Sequence, residues 1–202
     1  MVKMIEISAE ETGSKPAPGE LALVQAFVNT ADVESGSDDL PDPPSLGVWL
    51  GEHGLLAEGE PVTEGDLGRA LVLREALRGL ALANNGDGPA GEPARELNRV
   101  SSEVRLSVSV DEGGRGALRP VQGGVDGALG RLLATVYTAM AEGTWERFKA
   151  CARHTCRWAF YDKSKNRCGN WCSMDVCGNR EKAKAYRRRH REPSIPPPSS
   201  GS

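Results

Sequence analysis

The chain has 202 residues, of which 25 are Lys or Arg and 28 are Asp or Glu, and its net charge is −3. This length allows one domain of ordinary size, or a main domain with a small appended module. The sequence has no apolar run of about 18 residues and no apolar signal segment, so we expect no transmembrane helix, no membrane partner and a cytoplasmic location.

Helical periodicity covers most of the first hundred residues. Apolar residues at helical spacing predict helices over residues 20–31, 46–53, 63–84 and 93–102. Thr63 is the predicted N-cap of the third of these helices, and Ser45 is the predicted N-cap of the second. Residues 32–45 form an acidic loop whose carboxylates are expected to lie in solvent.

The period of the pattern changes after residue 103. Val104, Leu106, Val108 and Val110 alternate with polar residues, which predicts a half-buried strand, and residues 117–121 can return as the second strand of a hairpin. A long helix with one apolar face follows from Val125. We therefore expect a mainly α fold with one small β-hairpin, of the α+β class.

The charge is divided unevenly along the chain. Residues 147–191 carry fourteen Lys or Arg and three acids, a net charge of +11, and the remainder carries −14. All five cysteines lie in the same segment. A basic module with a polyanionic partner is the first interpretation, and a basic tail that only pairs with the acidic part of the chain is the alternative.

These patterns divide the chain into four parts. We predict a flexible N-terminus at 1–17, a helical domain at 18–146, a small zinc-binding module at 147–191 that ends in a basic helix, and a disordered Pro- and Ser-rich tail at 192–202. The helical domain has its own apolar stripes, so we expect it to fold without the module.

The cysteines have the spacing Cys151-x4-Cys156-x15-Cys172-x4-Cys177, and Cys168 lies between the two pairs. Two close pairs of thiols joined by a loop of this size are typical of one tetrahedral Zn2+ site. We predict that these four residues hold a structural Zn2+ and that Cys168 is a spare thiol. Disulfides, a redox pair, and Cys168 in place of one ligand are the alternatives.

The residues around Cys177 predict the start of a basic helix. Ser173 can cap a helix that enters at Met174, and Gly178 can supply a positive φ or a close approach beside Cys177. Arginine can contact guanine or phosphate, and asparagine can contact adenine. We predict base-edge contacts for the first two of the following residues and phosphate contacts for the others: Asn179, Arg180, Lys184, Arg187 and Arg188.

The cysteine module resembles the CGNR zinc finger of bacterial proteins. Upstream, the helix order and the segment Phe27-Val28-Asn29-Thr30 are similar to the ABATE domain that usually precedes this finger. The sequence departs from the usual finger at Cys168-Gly169-Asn170. The matching pieces of the finger are Cys151, Cys156, Arg157-Trp158, Phe160-Tyr161-Asp162, Ser164, Asn166, Trp171-Cys172-Ser173-Met174 and Cys177-Gly178-Asn179-Arg180.

This resemblance implies a stress-induced transcription regulator. We therefore expect a DNA-binding regulator with a structural zinc finger, whose N-terminal domain can meet a protein partner or a small effector. The alternative is a zinc-dependent adaptor that binds protein or RNA without sequence-specific DNA binding.

An enzyme is not expected, and no catalytic residue is assigned. The sequence has three histidines and no P-loop, Gly-x-Ser-x-Gly or His-Glu-x-x-His motif. A closed site of four thiolates also lacks the open coordination position that metal catalysis requires.

Overall fold

The computed structural model describes residues 15–86 and 88–190. Most of the predicted flexible N-terminus and all of the predicted disordered tail lie outside these residues. In the described part of the chain, no helix is long and apolar enough to cross a membrane. In chain order the elements are α1 (Leu21–Val28), β1 (Ala31–Asp32), β2 (Ser37–Asp38), α2 (Pro43–Glu52), α3 (Glu64–Ala83), α4 (Gly91–Ser101), β3 (Leu106–Val110), β4 (Gly116–Pro120), α5 (Gly124–Ala141), β5 (Phe148–Ala150), β6 (Ala159–Tyr161) and α6 (Asn179–Arg189).

Helices dominate this architecture, and the strands form three antiparallel pairs, β1–β2, β3–β4 and β5–β6, within the described residues. The predicted α+β class is therefore confirmed. The core lies between α1, α3 and α5, where the long helices bury complete apolar stripes. Its fully buried side chains include Phe27, Leu73, Leu77, Leu129 and Leu132.

Local capping explains where α2 and α3 begin. The Thr63 hydroxyl accepts a hydrogen bond from the Asp66 amide at 3.2 Å, and the Asp66 carboxylate accepts one from the Thr63 amide at 2.9 Å, so the predicted cap of α3 is a full capping box. The predicted cap of α2 is wrong. Asp42 accepts from the amide of Ser45 at 2.9 Å, and the helix starts at Pro43 because proline needs no N–H partner in a first turn.

The predicted β3–β4 hairpin is confirmed, but its predicted burial is only partly right. Val104 is buried and Leu106 is half-buried, whereas Val108 and Val110 are 74% and 67% exposed. The base of the hairpin touches α5 closely at Gly130, where an added Cβ would lie 3.1 Å from the Cβ of Pro120. The strands continue beyond this contact, so the residues toward the turn have no helix to cover them.

The acidic loop between α1 and α2 is more ordered than its composition indicates. Arg74, only 5% exposed, donates to both carboxylate oxygens of Asp38 at 2.7 Å, and these hydrogen bonds hold the pKa of Asp38 below its ordinary value. Asp38 and Glu34 are exposed, as expected, but both carboxylates also form ion pairs that the sequence does not indicate. The partners of Glu34 lie in the cysteine module.

The β5–β6 hairpin belongs to the same apolar cluster as the helices, although the predicted module begins at residue 147. Phe148 and Ala159 have no exposed surface. Asn84 at the end of α3 donates to the carbonyl of Phe148 at 2.8 Å, and Asn29 after α1 exchanges two hydrogen bonds with the backbone of Ala159. The start of the cysteine module is thus part of the helical core.

This packing makes Phe148 a test of how far the two parts fold together. We expect Phe148→Ala to lower the free energy of unfolding of the whole chain by about 3–5 kcal/mol, because it leaves a cavity among the helices. A chain that ends at Glu146 lacks the whole hairpin, so the shared core reverses the expectation from the sequence: we expect this chain to show no cooperative thermal transition. Denaturant and thermal unfolding, followed by circular dichroism, measure both effects.

Val110→Ala is the matched control for Phe148→Ala, because Val110 is exposed, and it should change stability by less than about 0.5 kcal/mol. A Phe148→Ala variant whose helices unfold as in the wild type would contradict the shared core.

Candidate metal centre and nucleic-acid interface

The first cysteine pair lies at the end of the β5–β6 hairpin. Cys151 directly follows β5, and its amide donates to the carbonyl of Trp158 at 2.9 Å. The Cys156 amide donates to the carbonyl of Arg153 at 2.8 Å and closes a tight turn. Arg157 then takes a left-handed φ of 57°, which turns the chain back into β6. The core-bound hairpin therefore positions the first two thiols.

The second pair lies at the entry to α6. The Ser173 hydroxyl accepts from the amide of Val176 at 3.3 Å, so the predicted cap is confirmed, and residues Met174–Gly178 form a wide π-helical turn. Gly178 has a φ of −62° and serves as a point of close approach: an added Cβ would lie 2.3 Å from Sδ of Met174. This turn leads directly from Cys177 into α6.

The four predicted ligands come together. The Sγ atoms of Cys151, Cys156, Cys172 and Cys177 all lie within 4.8 Å of one another, and all four residues are buried. The Cys156–Cys172 and Cys172–Cys177 sulfur distances are both 3.7 Å. A tetrahedral Zn2+ with Zn–S bonds of about 2.3 Å requires sulfur separations of about 3.8 Å. The cluster could therefore hold a metal ion, and its dimensions suit zinc.

The ionisation of these thiols also favours a cation. Hydrogen bonds from Cys156 and Cys172 lower the pKa of the Cys151 thiol, while hydrogen bonds to Cys151 and Cys156 raise the pKa of the Cys172 thiol. Several thiolates cannot share so small a volume without an opposing charge, because their mutual repulsion is not screened by water. A bound divalent cation would remove the protons and use the sulfurs as ligands. Cys168 lies outside this group and is exposed.

A buried ion pair holds the loop that joins the two cysteine pairs. Lys149 and Asp162 are 2% and 1% exposed, and their charged atoms lie 3.1 Å apart. Lys149 also donates to the carbonyls of Arg167 and Gly169, and Asp162 accepts from the amides of Ser164 and Gly169. Burial opposes ionisation of Asp162, but these hydrogen bonds outweigh it and lower its pKa.

Sequence reasoning missed this ion pair and counted Lys149 among the cations that could meet a polyanion. The sequence departs from the usual finger at residues 168–170, and the structure explains the glycine at position 169. An added Cβ there would lie 2.8 Å from the carboxylate of Asp162. Glycine is therefore the residue that lets the loop backbone reach the buried acid.

The predicted nucleic-acid residues all lie on α6. No residue of this helix is buried, and it carries six cationic side chains and one acid. Asn179 and Arg180 lie at its start, where Asn179 donates to the carbonyl of Asp175 at 3.2 Å and Arg180 forms an ion pair with Glu34 at 2.7 Å. Lys184, Arg187 and Arg188 follow along the exposed helix.

Other cations of the basic segment are engaged elsewhere. Lys149 is buried with Asp162, Arg167 pairs with Glu146, and Arg153 pairs with Glu34 at 3.0 Å. The net charge of the segment is therefore larger than the positive charge that a polyanion could contact. The accessible positive charge is concentrated on α6 and on the exposed loop before Cys172.

Fold and site together define a class: a helical domain fused to a four-cysteine finger that ends in a basic helix. The chain belongs to the ABATE family, described as "Putative stress-induced transcription regulator", whose sequence pattern matches residues 21–143. The pattern of the CGNR zinc finger matches residues 147–190. Both matches confirm the resemblance found in the sequence. No curated protein matches the chain.

Metal content tests the cluster directly. We expect one Zn2+ per chain in protein purified without chelator, and none in Cys172→Ala, because three thiolates leave the tetrahedral shell incomplete. Elemental analysis of the purified proteins measures the content. Cys168→Ala is the matched control and should keep its zinc, since this thiol lies outside the cluster. Full zinc content in Cys172→Ala, or none in the wild type, would rule out this ligand set.

The buried ion pair makes a separate prediction. Lys149→Met leaves the carboxylate of Asp162 buried without its countercharge, so we expect a loss of about 3–5 kcal/mol in the free energy of unfolding. Urea denaturation of the zinc-loaded protein measures it. Lys163→Met is the matched control: it removes an exposed lysine next to Asp162 in the chain and should cost less than about 0.5 kcal/mol. Equal stability of the two variants would contradict the importance of the pair.

Proposed function

We propose that this protein is a DNA-binding transcription regulator whose zinc-held finger presents α6 to the phosphates of duplex DNA. The observation that carries the proposal is the exposure of α6. Its cations face solvent along the whole helix, and no residue of the helix is needed for the core. Membership of the ABATE family supports a regulatory role, and the finger supports a structural metal.

The metal would be Zn2+, bound by Cys151, Cys156, Cys172 and Cys177. Its role is structural, because four thiolates fill a tetrahedral shell and leave no position for a reacting molecule. It ties the turn that starts α6 to the hairpin embedded in the core. We therefore propose a protein without catalytic activity that is located in the cytoplasm and binds DNA there.

Phosphate contacts suit the composition of the helix. Lys184, Arg187 and Arg188 are exposed and lie within two turns, so they can reach neighbouring phosphates of one duplex. Such contacts release condensed counterions, which makes the affinity strongly dependent on salt. The amide of Asn179 at the start of the helix is the candidate for a base edge.

The second candidate function is an adaptor that binds protein or RNA. The exposed valines of the β3–β4 hairpin, Val108 and Val110, favour it, since adjacent apolar side chains at a surface are typical of protein contacts. In this case the finger would bind a protein or RNA partner rather than DNA. A small effector or protein bound to the helical domain is compatible with either function.

Salt-dependent DNA binding tests the proposal. The measurement uses the whole zinc-loaded chain, because the β5–β6 hairpin of the finger is part of the helical core. We expect the logarithm of the affinity for duplex DNA to fall with the logarithm of the salt concentration. The triple variant K184A/R187A/R188A should weaken binding to all sequences and reduce the slope by roughly 0.9 for each phosphate that is no longer neutralised. Fluorescence anisotropy at several salt concentrations measures both quantities.

The triple variant R95A/R99A/R115A is the matched control, because it removes the same charge from exposed arginines of the helical domain. It should leave the salt slope unchanged. If the zinc-loaded 202-residue chain shows no salt-dependent DNA binding at low ionic strength, the DNA-binding regulator loses its physical basis, and the adaptor is then the better hypothesis.

A further inference from the structure

One carboxylate of the helical domain bridges the two halves of the finger. Glu34 lies in the turn between β1 and β2. Its Oε2 atom lies 3.0 Å from the guanidinium of Arg153, and its Oε1 atom lies 2.7 Å from that of Arg180. Each oxygen is thus taken by a different arginine. The two guanidinium groups converge on a single anion.

These two arginines come from opposite sides of the thiol cluster. Arg153 lies inside the turn of Cys151 and Cys156, and Arg180 follows Cys177 at the start of α6. The Nη1 atom of Arg153 also lies 3.9 Å from Sγ of Cys177, so this guanidinium contacts the thiol cluster itself. The two halves of the finger thus each place one arginine beside Glu34.

We propose that Arg153 and Arg180 form a phosphate-binding clamp for the backbone of duplex DNA, which the Glu34 carboxylate occupies when no nucleic acid is bound. A carboxylate and a phosphate present similar oxygen pairs to guanidinium groups, and arginine recognises both. The clamp rests on the DNA-binding function proposed above and adds Arg153 to its contacts. It also gives Arg180 a phosphate contact in place of the base contact that the sequence predicts.

Glu34 is suited to be displaced. The Asp32 carboxylate accepts hydrogen bonds from the backbone amides of Glu34 and Ser35, so the turn is stable without the ion pairs. The side chains of Glu34 and Arg180 are 41% and 55% exposed, and that of Arg153 is 15% exposed. The ion pair with Arg180 contributes little at such exposure, so a polyanion that reaches Arg180 can replace it without unfolding the turn. Glu34 therefore acts as a competitor within the chain.

Replacement of Glu34 tests the clamp in the full zinc-loaded protein. We expect Glu34→Gln to bind duplex DNA about two- to fivefold more tightly than the wild type at fixed salt, because the competing charge is gone. Glu58→Gln is the matched control: it removes the same charge from an exposed residue before α3 and should leave the affinity unchanged. Fluorescence anisotropy measures the dissociation constants.

A double-mutant cycle shows whether the gain passes through the arginines. Glu34→Gln should not increase the affinity for DNA when Arg180 is already alanine. The same result is expected when Arg153 is alanine, provided that this variant keeps its zinc. An equal gain with and without Arg180, or no gain at all while K184A/R187A/R188A weakens binding, would overturn the clamp and leave the proposed function standing. Loss of preference at one base position in Arg180→Ala, without weaker binding elsewhere, would also overturn it.

If no variant binds DNA, the proposed function is rejected, and a second probe then tests the clamp by itself. Inorganic pyrophosphate is titrated into the wild type and Glu34→Gln, and the NMR signals of the arginine Nε–H groups are followed. We expect shifts at Arg153 and Arg180, at lower pyrophosphate concentration in Glu34→Gln than in the wild type. Unchanged signals of both arginines would show that the pair does not bind phosphate groups and would refute the clamp.

Discussion

The convergence of four buried thiols is the constraint on which the finger depends. Cys151 and Cys156 are placed by the β5–β6 hairpin, which the helical core already holds. Cys172 and Cys177 lie on a segment with few apolar neighbours of its own, so a metal ion is what can fix it against the hairpin. The cluster thereby attaches α6, which buries nothing, to the core of the protein.

Features governed by nearby residues could be predicted from the sequence. The Thr63 cap, the Ser173 cap and the two cysteine pairs follow from spacings of a few residues, and the approach of the two pairs follows from the short loop between them. The burial of Lys149 could not, because its partner Asp162 directly follows the opposite strand of a hairpin that the pattern does not reveal. All three residues of β5 are buried, so no alternation marks it as a strand with one solvated face.

The uneven charge of the chain divides into separate roles once burial and partners are considered. Lys149 stabilises a loop, Arg153 and Arg180 meet one carboxylate of the acidic half, and Lys184 and Arg187 remain in solvent. Both sequence-based interpretations of the charge are therefore represented in one molecule: pairing within the chain and a surface open to a polyanion. A net charge cannot separate these roles, because it counts a buried lysine and an exposed one alike.

The turn that carries Glu34 is anchored at one end and open at the other. At its base, Asp38 is held by both nitrogens of the nearly buried Arg74, and Leu40 is 1% exposed. At its tip, Glu34 pairs with the exposed Arg180 and the half-buried Arg153. Because the anchor lies within the helical core, opening of the Glu34 ion pairs leaves the turn in place. In addition to the shared core at the β5–β6 hairpin, the helical domain and the finger are therefore joined by ion pairs that can open without disturbing the fold of either.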